Sequence, residues 1–552
     1  MKINKMIVQE GTNLKGKEPV IYLDIMESDR KIVFRLISDY EYICRHIGLH
    51  GTLKEVNYRT DGGEVWLTYQ CKEVSTYILE NIALGKNIDV VIKDSFNLKQ
   101  EQWDLELVEK ADKMNLPIIK LEDGRNQVGY GINSKIISKE SWQNDKDILV
   151  NNNGLIPIIS VTGTNGKTST VKLMHSILCK LGYNCGLSST GAVYVGDKII
   201  MRGDTTGFYS ARMVLTDPTV DFAVLETARG GMIRKGLGYK NNKVSIITSL
   251  SEDHFGIDGI SNIEDLLNVK KLIAKELLSD GKLIIASNYS LIKEFKYKSN
   301  VVLFNTYKDE YIEEHFNEGK EAWYVKDDKI IFAENKEENV VLDIKDVPYT
   351  HYGKSTGNVK NLLVALSALN TICPNLSDIC KVCKTIYCDL HTNPGRQNII
   401  EIKDYKIILD YGHNEEAYRE VFSLAKRLNP SKITGIISAP GDRNDNHIKT
   451  LGQVAGEFCD EIVIKQKFDT RGRSALEIAL LLQQGAFSVR EDFEELSLIL
   501  DECDAITYAL KRAKKGEVIV IITHHLDVSV PCINKYLESI GIGLIADEKL
   551  FI

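Results

Sequence analysis

At 552 residues, and at roughly 150 residues per domain, the chain has room for three or four domains, each with a core of useful size. Apolar residues make up 43% and charged residues 26%, a globular balance that excludes collagen-like, disordered and membrane-embedded classes. The net charge is −8, from 69 Lys and Arg against 77 Asp and Glu. That excludes general electrostatic binding of nucleic acid, but it leaves room for one anionic nucleotide in a local site. With no run of 18 apolar residues, no membrane span is expected. Met1–Glu10 lacks the apolar stretch of a signal peptide, so a cytoplasmic location is expected. The eleven cysteines do not resemble a disulfide framework. Cys373, Cys380, Cys383 and Cys388 are read as reduced, mostly buried thiols on or beside a helix, because their spacing matches no standard zinc site.

In chain order, residues 1–150 read as a small α+β domain. Strands are predicted at Val20–Ile25 and Leu116–Leu121, and helices at Val74–Leu84 and Asp104–Met114. Ser141–Gly154 is polar and reads as a linker. Residues 151–393 alternate strand and helix as a parallel sheet requires. Strands are predicted at Leu155–Val161, Phe222–Leu225, Val244–Leu250 and Lys282–Ala286, and helices at Thr168–Leu181 and Ile263–Leu278. Asn300–Pro348 reads as an inserted or edge sheet. Residues 394–552 read as a second, Rossmann-like α/β domain. Its strands are predicted at Ile407–Asp410, Ile433–Ser438, Glu461–Ile464 and Val518–Thr523, with a helix at Glu415–Leu428. The fold class is therefore α/β in three domains.

Between the first strand and first helix of the middle region runs Gly163-Thr164-Asn165-Gly166-Lys167-Thr168-Ser169. Glycines let several backbone N–H groups turn toward one phosphate, and the following helix N-terminus adds positive potential. Lys167 suits the β and γ phosphates, and the Thr168 hydroxyl suits Mg²⁺. The strand–loop–helix context points to ATP binding. Glu226 ends the strand Phe222–Leu225, on the edge of a parallel sheet that faces ligand, where a carboxylate can hold Mg²⁺ or else pair with Arg229 or Lys235.

Val161 to Thr168 resembles the ATP loop of the Mur ligases, and further matches follow in that family's order. They are Leu225 to Gly231, Asp253-His254, Asn358 with Asn361, Gly395-Arg396, and Asp410 to Asn414. Gly203 to Gly207, Asp217 to Asp221, Pro440 to Arg443 and Arg471 to Arg473 resemble the Mur-like half of cyanophycin synthetase. Leu116 to Leu121 and Val128 to Gly131 are similar to that enzyme's N-terminal domain. Residues 132–155 hold only a short connection where it carries an ATP-grasp domain. A related arrangement is that of the pseudomurein peptide ligases. Two departures from the family stand out: Gly357 replaces a common His, and Asn288-Tyr289-Ser290 lacks an Asp.

The resemblance implies an ATP- and Mg²⁺-dependent ligase that activates a carboxylate as an acyl phosphate and joins it to an amine. The implied partners are a peptide or nucleotide-linked peptide acceptor and a free amino acid. The expected product is a cell-wall peptide of murein or pseudomurein type. A storage peptide, or a nucleotide-binding regulator without catalysis, is the alternative. By resemblance, His254 ligates a second Mg²⁺, Lys270 is the carbamylated lysine, and Asn358 and Asn361 contact adenine. Arg396 then reaches the γ-phosphate and Asp410 the ribose. Thr205, Thr206 and Arg229 are candidates for the acceptor carboxylate, and Asp442, Arg443, Arg471 and Arg473 for the amino-acid pocket. Packing, interdomain pairing or plain solvation are the competing roles for these residues.

Overall fold

The computed structural model describes residues 1–149, 154–251, 259–298, 300–466, 468–490 and 496–547. They form two compact units. The first comprises the described parts of residues 1–163, 178–250 and 255–302, and the second those of 164–177, 251–254 and 303–552. The chain is mixed α/β, with a small N-terminal domain, a central parallel sheet and a C-terminal α/β domain.

The first unit opens with an antiparallel sheet in the order β1-β2-β4-β3: β1 (Lys2–Gln9), β2 (Val20–Met26), β3 (Leu53–Arg59) and β4 (Gly62–Thr68). The helix Arg30–His46 is capped by Asp29, whose carboxylate accepts from Lys31 N. It buries Val33, Leu36, Ile37, Tyr40 and Ile43, a helical stripe, in one core with Ile21, Leu23 and Ile25 of β2. Next comes a small sheet of β5 (Ile118–Lys120), β6 (Asn126–Val128) and β7 (Lys135–Ile137). The segment read as a linker from Ser141 begins inside a helix, Lys139–Asn144, started by a Ser138/Ser141 capping box. Trp142 and Leu149 are buried in the same small core as Leu107 and Val128, so two apolar side chains suffice to anchor a polar stretch.

The central sheet consists of β8 (Ile158–Thr162), β9 (Cys185–Val195), β10 (Lys198–Asp204), β11 (Phe222–Glu226), β12 (Asn242–Ile247) and β13 (Leu277–Ala286). Within this unit the order is β10-β9-β11-β8-β12-β13, and every pairing given for it except the β9–β10 hairpin is parallel. β8 lies in the middle and is buried throughout, which is why its sequence is uninterrupted apolar and small residues. The helix predicted over Ile263–Leu278 stops at Lys270. A short 3₁₀ turn, Lys271–Lys275, follows, and Leu277 already pairs with Asn242 in the sheet. Pairing overrides the helical spacing there.

The second unit takes in most of the helix Lys167–Lys180. It also contains β14 (Val301–Phe304, through Leu303 and Phe304), β15 (Ala322–Lys326), β16 (Lys329–Glu334) and β17 (Glu337–Asp343), the edge-sheet strands expected between Asn300 and Pro348. The long helix Thr356–Ile372 is buried along most of its length. The C-terminal sheet contains β18 (Asn398–Ile402), β19 (Tyr405–Asp410), β20 (Ile433–Ile437), β21 (Glu461–Ile464), β22 (Leu496–Leu498) and β23 (Val518–Ile522), in the order β18-β19-β23-β20-β21-β22. Successive β23 side chains serve opposite faces. Val518, Val520 and Ile522 join the core under the helices Glu415–Arg427, Asp445–Phe458 and Ala475–Val489. Ile519 and Ile521 join the core under Glu502–Arg512 and Leu526–Ser539. The sheet is thus covered on both faces, as expected for a doubly wound domain. Two of the eleven cysteines, Cys503 and Cys532, are disulfide-bonded, their Cα atoms 5.4 Å apart, a single bridge that the sequence reading did not single out. Cys373, Cys380, Cys383 and Cys388 are free thiols on and beside the helix Leu376–Cys383.

Candidate active site

In the first unit β8 ends at Thr162, and the chain turns through Gly163 at φ +152°. A Cβ at Gly163 would lie 2.0 Å from Thr248 Oγ1 and 3.0 Å from Ser249 N, so only glycine fits between these strand ends. Glu226 at the end of β11 is 3% exposed. It accepts from Thr190 N at 2.9 Å and from the Thr190 hydroxyl at 3.2 Å. A small pocket beside it is lined by Thr206, Phe208, Thr227, Met232 and Tyr239. Thr205 is fully buried, and its hydroxyl donates to Ser189 O at 2.6 Å. Thr206 donates to Asp204 at 2.8 Å, and Arg229 opens the helix Arg229–Lys235. Lys270 is 3% exposed, unlike its neighbour Lys271, which pairs with Glu294, so it is not a solvated helix lysine. Asp253 and His254 lie outside the described residues.

In the second unit the phosphate-loop residues meet the C-terminal domain. Thr164 Oγ1 donates to Ser251 O at 3.1 Å and accepts from Ser251 N at 3.2 Å. Asn165 Nδ2 donates to Glu416 at 2.7 Å, and Asn165 Oδ1 accepts from Asn414 Nδ2 at 2.8 Å. Gly166 has φ +84°, Lys167 Nζ donates to Thr164 O at 2.9 Å, and Thr168 is half-buried at the helix start. Ser169 O accepts from the Tyr349 hydroxyl at 3.0 Å, and Thr170 donates to Asn361 Oδ1 at 3.2 Å. Asn361 in turn donates to Asn358 at 3.2 Å, so both asparagines are aligned on the first turns of one buried helix.

Gly357 precedes this pair. A Cβ there would lie 2.3 Å from Glu420 Oε2, so in this chain a carboxyl from the C-terminal domain fills the space beside residue 357. Burial raises that carboxyl to about 7. The other departure also has a local cause: Asn288 caps the helix Tyr289–Phe295, accepting from Ser290 N and Leu291 N.

Asp410 ends β19, is 7% exposed, and accepts from Gln397 N at 2.9 Å and Gly412 N at 2.7 Å. Burial pushes its carboxyl up to about 6, against the pull of the Arg396 guanidinium. Arg396 lies over the Tyr411 ring, 4.2 Å from its centroid. The other ligand candidates divide. Asp442 pairs with Arg471 at 2.7 Å and with Arg443 at 3.6 Å, and Arg443 is 6% exposed. Arg473 instead pairs with Asp445 at 2.7 Å.

Sequence reasoning missed Asp469 and His524 and gave Tyr411 no role beyond its place in the Asp410 to Asn414 match; the structure adds all three to this cluster. Arg471 Nε donates to Asp469 at 2.6 Å. The other Asp469 oxygen accepts from His524 Nδ1 at 2.9 Å, and the His524 and Tyr411 rings lie 4.2 Å apart. Asp469 is held well below the usual carboxylate range, first by its hydrogen bond from His524. One signal was available in the sequence: His524 directly follows the predicted strand Val518–Thr523, at the edge of a parallel sheet where ligands bind.

Two family models match the chain, Mur ligase middle domain over residues 161–369 and Mur ligase, glutamate ligase domain over residues 395–524. The chain belongs to the Mur ligase family. It is similar to cyanophycin synthetase of Trichormus variabilis, 32% identical over 69% of this chain and 42% of the relative. The same enzyme of Crocosphaera subtropica is 33% identical over 69% and 44%. UDP-N-acetylmuramoyl-L-alanyl-D-glutamate–2,6-diaminopimelate ligase of Alkaliphilus metalliredigens is 24% identical over 66% and 71%. The chain thus spans less than half the length of the cyanophycin synthetases it matches. Among the described residues no helix is long and apolar enough to cross a membrane.

Proposed function

We propose that this protein is an ATP-dependent carboxylate–amine ligase that adds an amino acid to a cell-wall peptide precursor through an acyl phosphate. The observation that carries the reading is the contact of phosphate-loop Asn165 with Asn414 and Glu416. It joins a nucleotide loop to the C-terminal domain that bears Arg396 and Asp410. Lys167 and the loop N–H groups hold the phosphates, Asn358 and Asn361 orient the base, and Asp410 accepts from the ribose hydroxyls. Arg396 offers a planar fork of donors to the transferring phosphoryl group. Thr205, Thr206 and Arg229 bind the acceptor carboxylate. Asp442, Arg443, Arg471 and Arg473 shape the amino-acid pocket.

The carboxylate of Glu226, which is buried, and the hydroxyl of Thr168 are each hard oxygen donors of the kind that suits Mg²⁺, and by the family resemblance His254 is the candidate ligand of a second Mg²⁺. When bound, the ion neutralises phosphate charge during transfer. Lys270, buried on the helix Ile263–Lys270, is the candidate for carbamylation. Catalysis in this scheme is positioning and charge stabilisation. The domains are proposed as 1–150, 151–393 and 394–552, and the location as cytoplasmic.

A second reading, extension of a storage peptide, is favoured by the 32% identity to cyanophycin synthetase. The test is ATP turnover by the purified chain with UDP-N-acetylmuramoyl-L-alanyl-D-glutamate or an aspartate-rich peptide as acceptor, each with single amino acids. Turnover that needs both the first acceptor and an amino acid supports the cell-wall reading. A requirement for the second acceptor supports the storage reading. Nucleotide binding without acceptor-dependent turnover leaves a regulator.

A further inference from the structure

Among the described residues of the C-terminal domain, a buried polar atom beside the proposed amino-acid pocket has no counterpart in the mechanism above. His524 is one-tenth exposed, and its Nε2 is buried without a hydrogen-bond partner. Buried polar atoms are ordinarily paired, so an orphan beside a ligand cluster needs an explanation. The other ring nitrogen is tied down: Nδ1 lies 2.9 Å from Asp469. An ionised carboxylate only accepts, so Nδ1 carries the hydrogen, and in the neutral ring Nε2 has a free lone pair. Asp469 is joined through Arg471 to Asp442 and Arg443, the proposed amino-acid pocket. An incoming amino acid carries an ammonium group, which cannot attack an acyl phosphate until it loses a proton.

Resting on the ligase reading, we propose that His524, oriented by Asp469, is the base that takes this proton. The ammonium gives one proton to Nε2, and the freed nitrogen pair attacks the acyl-phosphate carbonyl carbon. A C–N bond forms and the C–O bond to phosphate breaks. Phosphate leaves with the electron pair and takes the second amine proton, and His524 returns its own to solvent. Asp469 is a positioning residue. It fixes the tautomer and stabilises the imidazolium, as an acid–histidine pair does elsewhere. The groups facing the ring are consistent with this. Asp469 favours the charged form. His413, 6.2 Å away between ring centroids, and Lys465, itself paired with Glu502, oppose it, and the Tyr411 ring lies tilted against the imidazole. Burial outweighs Asp469 and holds the imidazole below its ordinary value, so it is neutral and ready to accept at neutral pH.

The experiment compares two nucleophiles in the full chain, with ATP and whichever of the two acceptors above supports turnover. An amino acid needs a base, whereas hydroxylamine is already unprotonated at neutral pH and traps the acyl phosphate as a hydroxamate. In His524→Gln, amide formation should fall by about 10²-fold or more, the range for loss of a general base. Hydroxamate formation and ATP affinity should stay within about threefold, by the same reasoning. Wild-type kcat/KM for the amino acid should fall as pH drops through the His524 titration, and the variant should lack this limb. Asp469→Asn should lower amide formation while sparing hydroxamate. It serves as the second probe if His524→Gln fails to fold. Equal loss of both products would mean a structural role and overturn the assignment, as would unchanged amide formation. If the wild type forms no hydroxamate with either acceptor, the ligase reading itself fails, and the assignment falls with it.

Discussion

The turn that carries His524 depends on a buried ion pair, and removing one partner should show it. Lys465 follows β21 directly, and its Nζ lies 2.8 Å from Glu502, with the two side chains 5% and 3% exposed. Glu502 also accepts from the Thr523 hydroxyl at 2.8 Å, the residue just before His524. Breaking a buried pair on one side leaves an uncompensated charge and costs about 3–5 kcal/mol. In Lys465→Met the hydroxyls of Thr523 and Ser529 still solvate the carboxylate, so the low end, about 3 kcal/mol, is expected. Replacing both partners, Lys465→Met with Glu502→Gln, removes both charges and should recover all but about 1 kcal/mol. Hydrogen exchange of the β23 amides reads this locally in the full chain. A single variant that loses less than about 1 kcal/mol, or a double variant no better than the single, would refute the reasoning.

Three further outcomes are expected. Lys167→Ala should lower turnover by about 10²–10³-fold through loss of a cation at the phosphates, and steady-state phosphate release checks this. Glu226→Gln keeps shape but not charge, so a Mg²⁺ titration of turnover should shift to higher concentration. The third concerns pH. Burial raises folded Asp410 from 3.8 to about 6, so between these values the native state holds a proton that the unfolded chain has lost. Stability contributed by this group therefore falls as pH rises through that window. Asp410→Asn should flatten the dependence and stabilise the protein at pH 7 by about 1–3 kcal/mol, while raising the KM for ATP. Unfolding curves at pH 4 and pH 7 test the first part.

Much of the fold is legible where a segment's own residues decide its state. Ile433–Ile437, Glu461–Ile464 and Val518–Ile522 are short apolar runs because both faces of the sheet are covered, and their ends are readable to within a residue or so. The phosphate loop is legible because strand, glycines and helix sit together in sequence. What fails is what other parts of the chain decide. Ile263–Leu278 carries a helical pattern, yet Leu277 enters a strand through its partner Asn242. β10 is exposed along its whole length and shows no buried alternation to read. Asp469 and His524 are 55 positions apart and meet only because their strands bring two sheet-edge turns together. Glu420 opposite Gly357 is legible only as an odd glycine until the helix Glu415–Arg427 is in place.

The central claim is that the acceptor carboxylate is activated by phosphoryl transfer, and labelled oxygen tests it most directly. With the acceptor carboxylate enriched in oxygen-18, the released phosphate is analysed by mass spectrometry. Acyl-phosphate chemistry predicts one labelled oxygen in each phosphate, carried over when the C–O bond breaks. Unlabelled phosphate formed at the same rate as the amide would contradict the account.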